Sequence, residues 1–123
     1  MIKLFLIDDH PMFREGLVTQ FAKTKDLKVV AQAGTLEEAM SKIPSTKCDV
    51  AIVDIKLGNS SGLELIKVLK DGIPKVRVLM LSMYDHERYV QQTLDRGADG
   101  YMLKGSSFND LLEAIRAINE GKQ

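Results

Sequence analysis

Residues 1–21, MIKLFLIDDHPMFREGLVTQF, contain the pattern from which the architecture follows. Ile2, Leu4 and Leu6 alternate with Phe5 and Ile7, so the run is apolar on both faces, as a strand inside a parallel sheet must be. Asp8 and Asp9 stop it. After Pro11, Leu17, Val18 and Phe21 recur at helical spacing, so the chain passes from strand to helix within a few residues.

The same change of period repeats outward from there. Val29–Ala33 predicts a second strand, and Leu36, Ala39, Met40 and Ile43 predict a second helix that Pro44 closes. Val50–Val53 is nearly all β-branched and apolar, which favours a central third strand, and Gly62–Leu69 reads as the helix after it. Gly72 and Pro74 punctuate before a fourth strand, Val76–Leu81. A helix over His86–Arg96, capped by Gly97, leads to a short fifth strand, Tyr101–Leu103. Phe108–Ile118 closes the chain as a helix with Leu111, Leu112, Ile115 and Ile118 on one side. Five β-α units of an α/β domain result, without a repeat or a linker, and Gly121–Gln123 reads as a frayed end.

In an open parallel sheet the strands end on one side, so the polar groups after successive apolar runs meet in one crevice. Those groups are Asp8 and Asp9, Asp54, Ser82 and Lys104. A single aspartate after an apolar run is ordinarily a turn or cap residue. Five such groups at successive strand ends are a different matter. At the end of a strand the chain turns, so both Asp8 and Asp9 can reach the crevice although they are adjacent. A hard cation such as Mg2+ takes oxygen ligands at about 2.0–2.1 Å and keeps several waters, which suits an open site built from a few carboxylates. Asp8 and Asp9 have no counter-cation nearby in sequence, so without a metal the three carboxylates repel and at least one pKa should rise. Asp54 is also a candidate nucleophile toward phosphorus; Lys104 would neutralise phosphoryl oxygens and Ser82 would donate a hydrogen bond to them.

Composition sets the outer limits. The 123 residues suit one domain, and 45% hydrophobic content supplies a core. Seventeen basic and seventeen acidic side chains leave a formal net charge of zero, so this segment has no electrostatic case for binding nucleic acid. Tyr84 and Tyr89 could stack on a base, but no basic patch surrounds them. One cysteine, Cys48, excludes an internal disulfide and reads as a small core residue. His10 could be a ligand, but beside Pro11 at a helix start it reads rather as a surface or capping residue. No signal peptide or membrane span is visible, which makes the cytoplasm the default location.

The segments LIDDHPMFREGL, VDIKLGNSSGLEL, VLMLSMYDHERYV and GADGYMLKGSSFNDLLEAI closely resemble the receiver domain of bacterial two-component response regulators, in particular the subfamily whose full-length members carry a C-terminal helix-turn-helix DNA-binding domain. The resemblance implies one receiver domain over residues 1–123, with the output domain outside this chain. Its fold would be a doubly wound, flavodoxin-like five-stranded parallel sheet of order 2-1-3-4-5 with five surrounding helices. By that resemblance Asp8 and Asp9 match the acidic pair that binds Mg2+, Asp54 matches the aspartate phosphorylated by a sensor histidine kinase, and the carbonyl of Lys56 matches the remaining protein ligand of the metal. Ser82 matches the hydroxyl residue, Lys104 the lysine that meets the phosphoryl group, and Tyr101 the aromatic switch residue that rotates from an exposed position when Ser82 moves.

Two positions depart from the family pattern. Gly58 stands where many members have proline, which should loosen the loop, and Gly105 replaces a proline after Lys104. The expected function is a phosphorylation-activated switch that regulates a transcriptional output domain, with Mg2+-dependent self-phosphorylation and dephosphorylation but no metabolic activity. The alternative is a stand-alone or degenerate receiver that acts by protein contact. A small Mg2+-dependent phosphatase is a third reading, disfavoured because no separate general acid or substrate pocket is visible. A homodimer on phosphorylation is expected through exposed parts of the closing helix or of the first helix, with Phe13 and Leu17. DNA would be met only through the output domain.

Overall fold

In the computed structural model each strand of the large sheet leads, directly or through a short hairpin, to a helix, and the first four of these helices return the chain to the start of the next parallel strand. The structure describes residues 1–83 and 87–121, with side chains for all of these except residues 87–89. Tyr84, the side chain of Tyr89, the predicted helix start at His86 and the last two residues of the predicted frayed end therefore lie outside the described residues. The order is β1 (Ile2–Ile7), α1 (Pro11–Ala22), β2 (Leu27–Ala33), α2 (Leu36–Lys42), β3 (Val50–Asp54), a hairpin of β4 (Lys56–Leu57) and β5 (Ser60–Ser61), α3 (Leu65–Gly72), β6 (Arg77–Ser82), α4 (Glu87–Asp95), β7 (Gly100–Leu103) and α5 (Phe108–Asn119). Single 3-10 turns at Ile43–Ser45 and Gly62–Glu64 end α2 and lead into α3.

The large sheet has the order β2-β1-β3-β6-β7 with every pair parallel, which is the expected doubly wound, flavodoxin-like arrangement. Side-chain alternation then sorts the strand residues to two faces. Phe5, Ile7, Ala51, Val53, Val78 and Met80 meet Ile66 and Leu69 of α3 and Ala39 of α2 on one face. Leu4, Leu6, Val50, Ile52, Leu79 and Leu81 meet Leu17 and Phe21 of α1 and Leu111, Ile115 and Ile118 of α5 on the other. Both faces are covered, which is why the strands are apolar without interruption.

Local chemistry sets the element ends. Thr35 accepts a hydrogen bond from the Glu38 N–H at 3.0 Å, while Glu38 Oε1 accepts from the Gly34 N–H at 2.6 Å, a reciprocal cap at the start of α2. Ser107 caps α5 by accepting from the Asp110 N–H at 3.1 Å. Gly97, at φ +100°, turns the chain after α4 as predicted. Strand β2 begins two residues before the predicted Val29, and Pro44 lies inside the 3-10 turn that extends the second helix. The β4–β5 hairpin was not predicted, since two-residue strands carry no readable period. Cys48 is buried, and desolvation pushes its thiol up to about 12, consistent with an inert core residue. No helix among the described residues is long and apolar enough to cross a membrane.

Candidate functional site

Strand register assembles the site. Ile7 pairs with Val53, Asp54 with Leu81, and Ser82 with Leu103, so the next residues of four neighbouring strands emerge along one edge. Backbone bonds carry the pairing past the strand ends: the Ile55 N–H donates to Leu81 O at 2.9 Å and the Lys104 N–H to Ser82 O at 2.9 Å. Asp8, Asp54, Ser82 and Lys104 thereby share the edge, and Asp9 follows Asp8 into the turn before α1.

Asp54 is buried at 3% exposure, with Oδ2 accepting from Lys104 Nζ at 2.9 Å and Oδ1 from the Lys56 N–H at 3.3 Å. Burial raises its pKa above the usual carboxylate value, and the negative charge of Asp8 adds to the rise; the Lys104 contact opposes both. Asp8 is equally buried. Its Oδ1 accepts from the His10 N–H at 2.8 Å, and its Oδ2 lies 2.9 Å from Lys104 Nζ as an ion pair without hydrogen-bond geometry. Arg14 Nη1 donates to the carbonyl of Asp8. Asp9 Oδ2 accepts from the Gly58 N–H at 2.7 Å. Burial pulls the Asp9 pKa upward, but the Gly58 bond and the nearby His10 outweigh it and hold the carboxyl below its usual range.

Lys104 is buried at the centre of this group. Desolvation works against its charge, yet the Asp54 and Asp8 carboxylates more than offset that and raise its pKa. Its ammonium also lies 4.7 Å from the centre of the Phe13 ring, a cation–π contact that anchors the side chain from α1. The repulsion expected among three carboxylates is thus partly relieved by a cation nearly a hundred residues further along the chain. Three carboxylates against one ammonium still leave the cluster net negative. Two buried carboxylate oxygens, Asp8 Oδ2 and Asp9 Oδ1, make no hydrogen bond. Oxygen donors with excess charge and open bonding capacity fit a small divalent cation.

A cleft of about 140 Å3 opens beside Asp54 and is lined by His10, Ile55, Lys56, Ser82 and Met83. That is well below the roughly 300–1,000 Å3 of a pocket for a drug-sized molecule, so it suits a phosphoryl group better than a metabolite. Ser82 is buried at this cleft. Tyr101 is half-buried on β7 and packs against the core on the α2–α3 face, whereas the resemblance implied an exposed starting position.

Sequence reasoning set His10 aside as a ligand and gave Gly58 and Phe13 no part in the site. His10 is not only a helix-start residue, because its Nδ1 lies 3.3 Å from Asp8, 3.2 Å from Asp9 and 3.7 Å from Asp54. Its adjacency to Asp9 was the available signal. Gly58 and Phe13 had none, since each acts on a residue distant in sequence. Gly58 sits at φ +60°, a left-handed conformation that proline cannot adopt.

The family model described as "Response regulator receiver domain" matches residues 4–116. The DNA-binding transcriptional activator DevR/DosR of Mycobacterium tuberculosis is 34% identical over 122 residues, which are 99% of this chain and 56% of that protein; the chain thus spans little more than half of this curated relative. Among solved structures, the receiver domain of the putative response regulator NarL from M. tuberculosis superposes with a TM-score of 0.89 at 30% identity, covering 98% of both chains. A response regulator from Burkholderia pseudomallei with a phosphorylated aspartic acid, calcium ion and citrate superposes at 0.84 with 30% identity, covering 98% of this chain and 70% of that one. Two independent likenesses, one in sequence over nearly the whole length and one in backbone course, converge on the fold whose strand-end acids are described above: the chain belongs to the response regulator receiver domain family.

Proposed function

We propose that this receiver is a phosphorylation-activated signalling switch in which Asp54 accepts a phosphoryl group from a phosphohistidine of a sensor histidine kinase. The observation that carries the reading is the contact of Lys104 Nζ with Asp54 Oδ2 at 2.9 Å, inside a cluster of acids at the sheet edge. An Asp54 oxygen would attack phosphorus in line, forming a P–O bond as the P–N bond to the kinase histidine breaks. Lys104 and the Ser82 hydroxyl would hold the transferring oxygens, so the protein mostly positions and neutralises. Asp8, Asp9, Asp54 and the carbonyl of Lys56 would hold Mg2+, which supplies charge neutralisation at the same oxygens. Slow loss of the group to water would reset the switch.

Movement of Ser82 toward the phosphoryl group would open space for Tyr101, shifting the population between two packings of the α4–β7 surface. In a longer protein that shift would regulate a DNA-binding output domain, in line with the transcriptional activator among its relatives. The first test is intact mass spectrometry after incubation with Mg2+ and a small-molecule phosphodonor. The wild-type chain should gain one phosphoryl group that base and hydroxylamine remove, and Asp54→Ala none; equal labelling of both would reject the assignment.

A further inference from the structure

The proposed phosphoryl chemistry leaves His10 without a role, although its ring nitrogen faces the acids. Ligand atoms on bonds of about 2.1 Å stand about 3.0 Å apart along an octahedral edge and about 3.4 Å apart along a tetrahedral one. His10 Nδ1 is 3.3, 3.2 and 3.7 Å from carboxylate oxygens of Asp8, Asp9 and Asp54, so it already stands at coordination-edge spacing from the first two and just beyond it from the third. One donor atom from each of these four residues can be chosen so that all lie within 4.8 Å of one another. A second observation points the same way: Asp8 is buried at 3% exposure, and its Oδ2, ion-paired with Lys104 at 2.9 Å, makes no hydrogen bond.

Lys104 also faces the imidazole. Its Nζ is 3.0 Å from His10 Nδ1. An ammonium has donors and no lone pair, so in the tautomer with its proton on Nε2 the Nδ1 lone pair faces both Lys104 and the acids. Neutral imidazole with an inward lone pair is the form that binds metals. Asp8, Asp54 and His10 already converge on one cationic centre, the Lys104 ammonium.

We infer that His10 Nδ1 is a nitrogen ligand of this site, which makes the site selective for borderline divalent cations such as Co2+, Ni2+ and Zn2+ over Mg2+. Oxygen donors alone serve Mg2+, a hard ion with little preference for imidazole, whereas a neutral imidazole strengthens binding of the later first-row ions. The switch would then respond to the metal that loads it as well as to the kinase. This rests on the reading of Asp8, Asp9 and Asp54 as the metal-holding acids.

The test is calorimetric titration of the whole chain, wild type and His10→Ala, with Mg2+ and with Co2+, together with pulsed electron paramagnetic resonance of bound Mn2+. His10 is mostly exposed, and His10→Gln, with circular dichroism of every variant, guards against a folding defect. Co2+ affinity should fall about tenfold in His10→Ala while Mg2+ affinity falls less than about threefold. The wild-type Mn2+ signal should show coupling to imidazole nitrogen that both variants lack. Equal losses for the two ions, tighter Co2+ binding in the variant, or no nitrogen coupling in the wild type would overturn the inference. An Asp9→Ala chain that binds Mg2+ and Co2+ unchanged would instead overturn the underlying reading of the acids.

Discussion

Gly58 serves the acidic cluster from 49 positions away. Its φ of +60° lies in the left-handed region, and in that conformation its N–H meets Asp9 Oδ2 at 2.7 Å. Proline, which many related receivers carry at this position, has φ near −65° and no N–H, so it can supply neither feature. Gly58→Ala keeps the donor and adds strain of about 1 kcal/mol, because a Cβ disfavours positive φ. Gly58→Pro removes the donor as well. Calorimetric titration should therefore show weaker divalent-ion binding in Gly58→Pro than in Gly58→Ala, and Asp9 should titrate closer to its ordinary value in the proline variant. Matching affinities in the two variants would mean that the Gly58 bond does not support Asp9.

The β3–α3 connection holds Asp54 in place by close backbone approach. The Gly62 N–H donates to Ile55 O at 2.5 Å, and a Cβ on Gly62 would stand 2.0 Å from the backbone oxygen of Asp54. No rotamer can relieve a clash with backbone, so Gly62→Ala must shift the end of β3 or the start of α3. A loss of about 3 kcal/mol in denaturant unfolding is expected, at the upper end of ordinary overpacking costs. Phosphoryl acceptance at Asp54 should fall with it, measured on the folded fraction. Gly58→Ala provides the contrast, because nothing lies within 4 Å of its added Cβ.

Across the molecule, α5 is tied to the far edge of the sheet by Arg116, whose Nε and Nη2 donate to Oδ2 and Oδ1 of Asp26, both at 2.9 Å. The Arg116 guanidinium holds the Asp26 carboxyl below its ordinary value of 3.8. A carboxyl depressed on folding stabilises the native chain above its unfolded pKa, and that contribution disappears as the pH falls through the folded value. Asp26→Asn should thus lower the unfolding temperature at neutral pH, with the gap from wild type closing as the pH drops below 3.8. Both side chains are exposed, so the difference will be small and will shrink with salt. Burial also restricts association. Leu111, Ile115 and Ile118 face the core, and so does Leu17, which withdraws Leu17 from the expected dimer contact and leaves Phe13 half-buried. Met12, at 88% exposure, remains outside on α1. Sedimentation over a concentration series should show phosphorylation favouring a weak dimer, and identical monomer fractions with and without the phosphoryl group would leave contact with another protein as the output route.

Strand-helix alternation and the strand-end positions of Asp8, Asp9, Asp54, Ser82 and Lys104 were legible in the residues alone, because hydrophobic period is a local property and a parallel sheet places all its strand ends on one side. Family motifs extended that reading to strand order. The partners within the site were decided by distance in space. Asp8 and Asp9 look unpaired in sequence, yet Lys104 reaches Asp8, and Gly58 reaches Asp9. His10 read as a surface or cap residue because its neighbours suggest a helix start; only the turn after β1 aims its ring at three carboxylates. Hydrogen bonds and ion pairs act over about 3 Å, so contacts between residues 49 to 96 positions apart depend on how strands pair and helices pack, which no local pattern encodes.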